Sequence, residues 1–166
     1  IYTLALIAED EAHNRSRMEI PVVIDNTPPL PIEATLAGGR KLIKSDLEAS
    51  FKTPVCSPDG KFIAYASNEG GMEDIWIFNL EDRIRARLTR DLEIDAHPTW
   101  APACDWIAFQ SKIEDNNWDI FAVNVDEGKR IEIISDASMD TSPAWAPSGR
   151  QMAFASDRDG DREIYI

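Results

Sequence analysis

Three stretches of the sequence align residue for residue: PVCSPDGKFIAYAS at 54–67, PTWAPACDWIAFQS at 98–111 and PAWAPSGRQMAFAS at 143–156. Their first prolines are 44 and 45 residues apart, and Ser67, Ser111 and Ser156 keep the same spacing. Each stretch is followed by a second apolar run, EDIWIFNL, WDIFAVNV or REIYI. A period of about 40–45 residues indicates a repeat architecture in which each unit packs on its neighbour.

Each repeat has the pattern of a four-stranded antiparallel unit. The apolar runs are short, rich in β-branched and aromatic residues, and separated by Gly, Pro, Asn and Asp. The second run alternates large and small residues, as in Ile63-Ala64-Tyr65-Ala66. This alternation favours stacked sheets, in which the large face of one unit packs on the small face of the next. We therefore predict an all-β fold of β-propeller blades in three units, 54–97, 98–142 and 143–166.

The motif of Pro, Trp, Ser-Pro-Asp-Gly, Ile-Ala-Phe-x-Ser and acidic-Ile-Tyr resembles the TolB-type β-propeller repeat, a WD40-like family. It is carried by 54–67 with 74–80, by 98–111 with 118–125, and by 143–166. The resemblance implies a partial propeller of about three four-stranded blades. Two residues depart from it, since Cys56 replaces the Trp and Cys104 replaces the turn glycine. We expect a remodelled hairpin at Cys104, and free thiols at both cysteines.

The first 26 residues have a different pattern. Residues 2–10 and 15–25 read as two strands around a polar turn, and they resemble the last strands of a bacterial immunoglobulin-like or fibronectin-like domain. Residues 27–39 form a proline-rich linker, and the propeller repeats follow at 40–166, beginning with a fourth-strand-like run at 40–43. We expect the chain to be part of a longer protein, with the remaining blades in the parent chain or in a second copy.

Composition narrows the classes of partner. The formal net charge is −13, with a sequence pI of about 4.5, which argues against nucleic acid because phosphate binding requires a positive surface. No run reaches the roughly 18 apolar residues of a membrane span. Two histidines and two scattered cysteines do not form a zinc pattern.

Three residues near the repeated prolines are candidate ligand-binding residues. Asp95 and Asp140 each lie three residues before a proline, and His97 is the histidine within the repeats. The resemblance places such residues at one mouth of a propeller channel, where they either bind a ligand or stabilise the strand. Phe51 holds the equivalent position in the first repeat, so the acidic positions are not uniform.

A second candidate is the segment DRDGDRE at 157–163, where Asp157, Asp159 and Asp161 alternate around Gly160. Oxygen ligands at this spacing begin many Ca²⁺ loops. The alternative, which we favour, is an ordinary acidic hairpin turn with no cofactor bound.

No nucleophile elbow, P-loop or dinucleotide motif occurs in the sequence. We therefore expect no enzyme activity and predict a non-catalytic, extracytoplasmic binding or scaffolding module of bacterial type, with a protein or a surface glycan as its partner. Two alternatives stay open. One is an accessory propeller of a larger serine hydrolase or peptidase, and the other is a TolB-like periplasmic translocation component.

Overall fold

The computed structural model describes residues 2–9, 15–22, 43, 49–114 and 117–166. Every regular element in these residues is a β-strand, so the all-β prediction is confirmed. No helix in the described part of the chain has the length and apolar character needed to cross a bilayer. The chain divides into two compact units, residues 1–42 and 43–166.

The first unit contains an antiparallel strand pair. Strand β1 (Tyr2–Glu9) pairs with β2 (Arg15–Val22), with Tyr2 opposite Val22 and Glu9 opposite Arg15. The two predicted strands are therefore present, and their assignment to an immunoglobulin-like domain stays a prediction. The linker at 27–39 lies outside the described residues, as does all of the 40–43 run except Ile43, which is not in a strand.

The second unit contains three antiparallel sheets, each a meander in which every strand pairs with the next along the chain. The first sheet comprises β3 (Phe51–Cys56), β4 (Phe62–Ser67), β5 (Asp74–Asn79) and β6 (Arg85–Arg87). The second comprises β7 (Ile94–Trp100), β8 (Trp106–Glu114), β9 (Asn117–Asn124) and β10 (Arg130–Ile134). The third comprises β11 (Thr141–Trp145), β12 (Met152–Ser156) and β13 (Glu163–Tyr165). The sheets follow the predicted repeats but begin a few residues before each proline.

The hydrophobic core lies between the sheets. Ala64 and Ala66 on β4 belong to one buried cluster with Ile107 and Phe109 on β8, and all four side chains are 0% exposed. The small face of the first sheet thus contacts the large face of the second, as the alternation predicts. A hydrogen bond crosses the same junction, because the Trp100 indole Nε1 donates to the Val55 carbonyl over 3.2 Å.

The tight turn after each inner strand has one backbone geometry in all three sheets. Gly60 and Gly149 have φ values of 71° and 69°, and each amide donates to the carbonyl three residues earlier over 2.9 Å. Cys104 has a φ of 63° and makes the equivalent bond to Ala101, also over 2.9 Å. The expected remodelling at Cys104 is therefore wrong. The sheet holds a non-glycine residue in the left-handed region, at a cost of about 1–2 kcal/mol.

We expect Trp100→Phe to lower the free energy of unfolding by about 1–3 kcal/mol, because it removes a hydrogen bond and buried volume between two sheets. Trp145 holds the same position in the third repeat, but its indole nitrogen is buried without a hydrogen-bond partner. Trp145→Phe should therefore cost less than about 1 kcal/mol. Urea unfolding followed by circular dichroism measures both variants, and equal losses would contradict the inter-sheet role of Trp100.

Both cysteines are unbonded, with Cys56 exposed and Cys104 partly buried. We expect iodoacetamide to add two alkyl groups to the folded chain, with Cys56 reacting faster because its sulfur is accessible. Peptide mass spectrometry at several reaction times follows the two sites. Intact mass without reductant is the control, since a mass lower by two hydrogens would reveal a disulfide and contradict the prediction.

Candidate functional site

The inner strand of each sheet is interrupted at the residue before the repeated proline. The strand register shifts between Lys52 and Val55 in β3, and the same shift occurs in β7 and β11. The residues at the interruption have positive φ values: 46° at Thr53, 54° at His97 and 55° at Ser142. Proline cannot donate to a strand ladder, and a β-bulge accommodates it by leaving one residue unpaired. Such a conformation costs about 1–3 kcal/mol per residue. Its recurrence in three repeats makes this position a candidate functional site.

These bulges line a shallow hollow of about 240 Å³. All three repeats contribute to its wall, and we call it the inner-strand hollow: Thr53, Pro54, Val55, His97, Pro98, Ser142 and Pro143. Because inner strands surround the central channel of a propeller, the hollow lies where a channel wall is expected. It presents the His97 imidazole, the Ser142 side chain and the ring of Pro54, which are exposed, whereas the Thr53 hydroxyl and the rings of Pro98 and Pro143 are buried in its wall.

A hydrogen bond with the second sheet holds the third inner strand in place at the hollow. The Ser142 amide donates to Gln110 Oε1 over 2.9 Å, which fastens the third inner strand to the second sheet. His97 and Ser142 are exposed, whereas Thr53 is partly buried. Among the hydrogen bonds of residues 49–114 and 117–166, none involves the imidazole of His97. The hollow therefore shows no hydrogen-bonded acid–base pair of the kind that activates a nucleophile.

Of the three residues predicted from the sequence, only His97 lies at the hollow. Asp95 and Asp140 are each 0% exposed, so their carboxylates lie behind the wall rather than on it. A ligand-binding role for these residues stays a prediction. The sequence-based prediction did not include Thr53 and Ser142. The available signal was their position directly before a repeated proline, where the inner strand has to bulge.

Asp140 has a charged partner. Arg158 Nη2 donates to Asp140 Oδ1 over 3.0 Å, and Arg158 Nε donates to Ser156 Oγ over 3.0 Å. The guanidinium also lies over the rings of Phe154 and Tyr165, at 5.0 and 4.7 Å from their centroids. Arg158 therefore compensates a buried carboxylate and covers an aromatic pair at the same time.

Asp95 occupies the equivalent position in the second repeat without such a partner. Neither of its carboxylate oxygens has a hydrogen-bond partner in the described part of the molecule. Burial raises the pKa of Asp95 to about 6, and the nearby hydroxyls of Ser111 and Thr89 lower it only in part. The position, which the sequence already shows to be non-uniform, thus also has a different environment in each repeat. Phe51, its counterpart in the first sheet, lies 5.7 Å from the Tyr65 ring.

The carboxylates of the acidic turn at 157–161 accept hydrogen bonds from the hairpin itself and from the loop before β11. Asp157 Oδ1 accepts from the Met139 amide over 2.8 Å, and Asp159 Oδ2 accepts from the Tyr165 hydroxyl over 2.7 Å. The hydrogen bond to Asp159 raises the pKa of Tyr165 to about 12. In the described residues, the carboxylates of Asp157, Asp159 and Asp161 do not converge as a set of ligands. A calcium site in this turn stays a prediction, and these contacts favour the alternative of an ordinary turn.

We expect Arg158→Ala to lower the free energy of unfolding by about 1.5–3 kcal/mol, because it leaves the buried Asp140 carboxylate without its cation. Arg150→Ala removes the same charge from an exposed turn and should change stability by less than about 0.5 kcal/mol. Thermal and urea unfolding provide the comparison. Similar losses in the two variants would show that the Arg158 contacts contribute nothing beyond net charge.

Comparison with known proteins relates the repeats to TolB. No family model matches the chain. The Tol-Pal system protein TolB of Anaeromyxobacter dehalogenans (strain 2CP-1 / ATCC BAA-258) is 41% identical over 46 residues, which cover 28% of this chain and 11% of that protein. The crystal structure of TolB from Acinetobacter baumannii superimposes with a TM-score of 0.67 at 25% identity, covering 75% of this chain and 30% of that one. The chain therefore spans a small part of these relatives.

Enzymes share the same fold. Oligogalacturonate lyase from Vibrio parahaemolyticus gives a TM-score of 0.60 at 17% identity, over 76% of this chain and 38% of the lyase. A puromycin-hydrolyzing peptidase from Mycobacterium tuberculosis gives 0.60 at 18% identity, over 76% of this chain and 22% of the peptidase. These similarities concern the fold alone. The partial sequence match and the structural match together support a TolB-type β-propeller fold for the described repeats.

Proposed function

We propose that this chain is part of a non-catalytic, extracytoplasmic binding module that contacts a protein through the inner-strand hollow. The observation that carries the proposal is the recurrence of one strained position, Thr53, His97 and Ser142, in three successive repeats that line one hollow. Strained backbone conformations concentrate at positions that present side chains to ligands. A rigid scaffold that presents them reduces the entropy lost on binding.

The chemistry of the hollow suits an extended peptide better than a reaction. The Ser142 hydroxyl and the His97 imidazole match the amides and carbonyls of a peptide backbone, and the exposed ring of Pro54 offers an apolar contact. A net charge of −13 disfavours acidic ligands and favours neutral or basic segments. A surface glycan is the second ligand class, since its hydroxyls could form hydrogen bonds with Ser142 and His97. The extracytoplasmic placement follows from the resemblance to TolB and is part of the proposal.

A second candidate function is an accessory propeller that controls access to a hydrolase domain elsewhere in a longer protein. The observation that favours it is the fold similarity to the Mycobacterium tuberculosis peptidase. In that case the hollow would contact substrate or the catalytic domain. The two functions differ in what the chain binds, and neither requires catalysis by the described residues.

The test is a binding selection on the full 166-residue chain with a phage-displayed dodecapeptide library and a glycan array as probes. We expect peptides to be enriched. Their affinity should fall at least about tenfold, which corresponds to about 1.4 kcal/mol, in Ser142→Arg, because the larger side chain fills the hollow. Lys129→Ala, an exposed change in the turn before β10, is the control and should bind as the wild type does.

Three results would contradict the proposal. Peptides that bind wild type and Ser142→Arg equally well would place binding elsewhere on the surface. Enrichment on the glycan array alone would replace the protein partner by a glycan. Turnover of fluorogenic peptide or ester substrates that disappears in His97→Ala would make the hollow a catalytic site.

A further inference from the structure

Three carboxylates converge where the first sheet meets the second. Asp74 begins β5, Asp91 lies in the loop between β6 and β7, and Asp95 is the second residue of β7. One oxygen from each lies within 4.8 Å of the other two. The backbone fixes this arrangement, because the Asp95 amide donates to the Glu73 carbonyl over 2.8 Å. This hydrogen bond joins the main chains of the two neighbouring sheets beside the cluster.

The central carboxylate of the cluster lacks a partner. Asp95 is 0% exposed, and neither of its oxygens accepts a hydrogen bond within the described residues. Asp74, also 0% exposed, has an ion pair of 2.7 Å with Arg87. A buried carboxylate without hydrogen bonds or a counter-ion costs several kcal/mol, so it is either protonated or bound to a cation.

The next junction contains three aspartates at the equivalent positions and a cation supplied by the chain, although in the described residues only the first set converges as a ligand group. Asp119, Asp136 and Asp140 each lie 45 residues after a member of the first cluster. There Arg158 Nη2 lies 3.0 Å from Asp140 and 3.5 Å from Asp136. The position that corresponds to Arg158 in the second repeat holds Ile113. The first cluster thus lacks the guanidinium that compensates the second.

Another arginine replaces Arg158 only in part. Arg130 lies over the rings of Phe109 and Phe121 and donates to Ser111 Oγ over 3.0 Å, much as Arg158 does with its own aromatic pair and serine. Its guanidinium contacts Asp91, however, and not Asp95. The aromatic pair is covered in both repeats, and the inner carboxylate is compensated in only one of them.

The local charge around the cluster is negative. The carboxylates of Asp74, Asp91, Glu93 and Asp95 lie beside the guanidiniums of Arg87 and Arg130, and the charge of Arg90 also acts on Asp74. Four carboxylates against three guanidiniums leave one negative charge, which favours a cation over an anion.

The ligand atoms at the junction are all oxygens. The buried hydroxyls of Thr89 and Ser111 lie beside the carboxylates. The Asp91 side chain is 26% exposed and provides access from solvent. Carboxylate and hydroxyl oxygens in an irregular arrangement suit Ca²⁺, which accepts six to eight oxygen ligands, better than Mg²⁺, which requires a near-ideal octahedron.

We propose that Asp74, Asp91 and Asp95 bind one Ca²⁺ ion at the junction of the first and second sheets. The ion takes the role that the Arg158 guanidinium has at the next junction. It holds β5, the loop before β7 and β7 together, and it contributes to the stability of the stacked sheets rather than to a reaction.

The experiment titrates the full chain, after treatment with chelator, with CaCl₂ in a calorimeter and follows thermal unfolding in the same buffers. We expect one Ca²⁺ per chain and a rise in Tm of roughly 5–10 °C at about one hundred times Kd. Asp95→Asn, which keeps the shape and removes the charge, should weaken binding at least about tenfold. Asp91→Asn, at a partly exposed position, should do the same and serves if Asp95→Asn fails to fold.

Two controls test the assignment to this cluster. Asp140→Asn changes the equivalent residue beside Arg158, and Asp159→Asn changes the acidic hairpin turn, so both should bind Ca²⁺ as the wild type does. Loss of binding in Asp159→Asn alone would move the site to that turn. No binding by wild type up to about 10 mM Ca²⁺ would overturn the proposal. A gain of stability in metal-free Asp95→Asn together with that result would identify Asp95 as a protonated buried acid.

Discussion

The close contact between small and large sheet faces is the interaction on which the rest of this molecule depends. A single four-stranded sheet cannot bury both of its faces. Ala64 and Ala66 let the second sheet approach, and Ile107 and Phe109 fill the space between them. Once the sheets are stacked, their inner strands lie side by side. The bulged residues before the prolines then line a common surface. A larger residue at Ala64 or Ala66 would separate the sheets and disperse that surface.

Stacking also brings acidic residues from neighbouring repeats into the same buried junctions. The junctions solve the resulting charge problem differently. At the second junction Arg158, from a hairpin turn, contacts the Asp140 carboxylate. At the first junction Arg130, from an outer strand, contacts Asp91 and not Asp95. Repeats of the same fold thus acquire different electrostatic properties, in part because isoleucine stands at 113 where the next repeat has arginine. Such differences give individual blades of one fold separate roles.

The sequence is sufficient to predict the strands, the repeat length and the stacking mode, because these depend on local periodicity and on residue size. Ala64 between Ile63 and Tyr65 shows which face is small. The inner-strand hollow is harder to predict from the sequence, because the positive φ of His97 arises from pairing between strands rather than from the residue itself. Cys104 shows the same limit, since the sheet imposes a turn that the residue alone disfavours. The burial of Asp95 and Asp140 cannot be predicted from the sequence, because it depends on which sheet packs against each inner strand.

The meander order of the strands has a consequence for how the chain folds as it leaves the ribosome. Every strand in the second unit pairs with its immediate neighbour in sequence, and the bond from Trp100 to Val55 joins residues only 45 positions apart. Strand pairing is therefore local in sequence, and folding rate rises as contact order falls. The strand pairs of a blade can therefore form soon after its last strand is synthesised, and stacking on the next blade then buries its exposed face. Assembly in this direction limits the time for which unpaired strand edges are exposed to other chains.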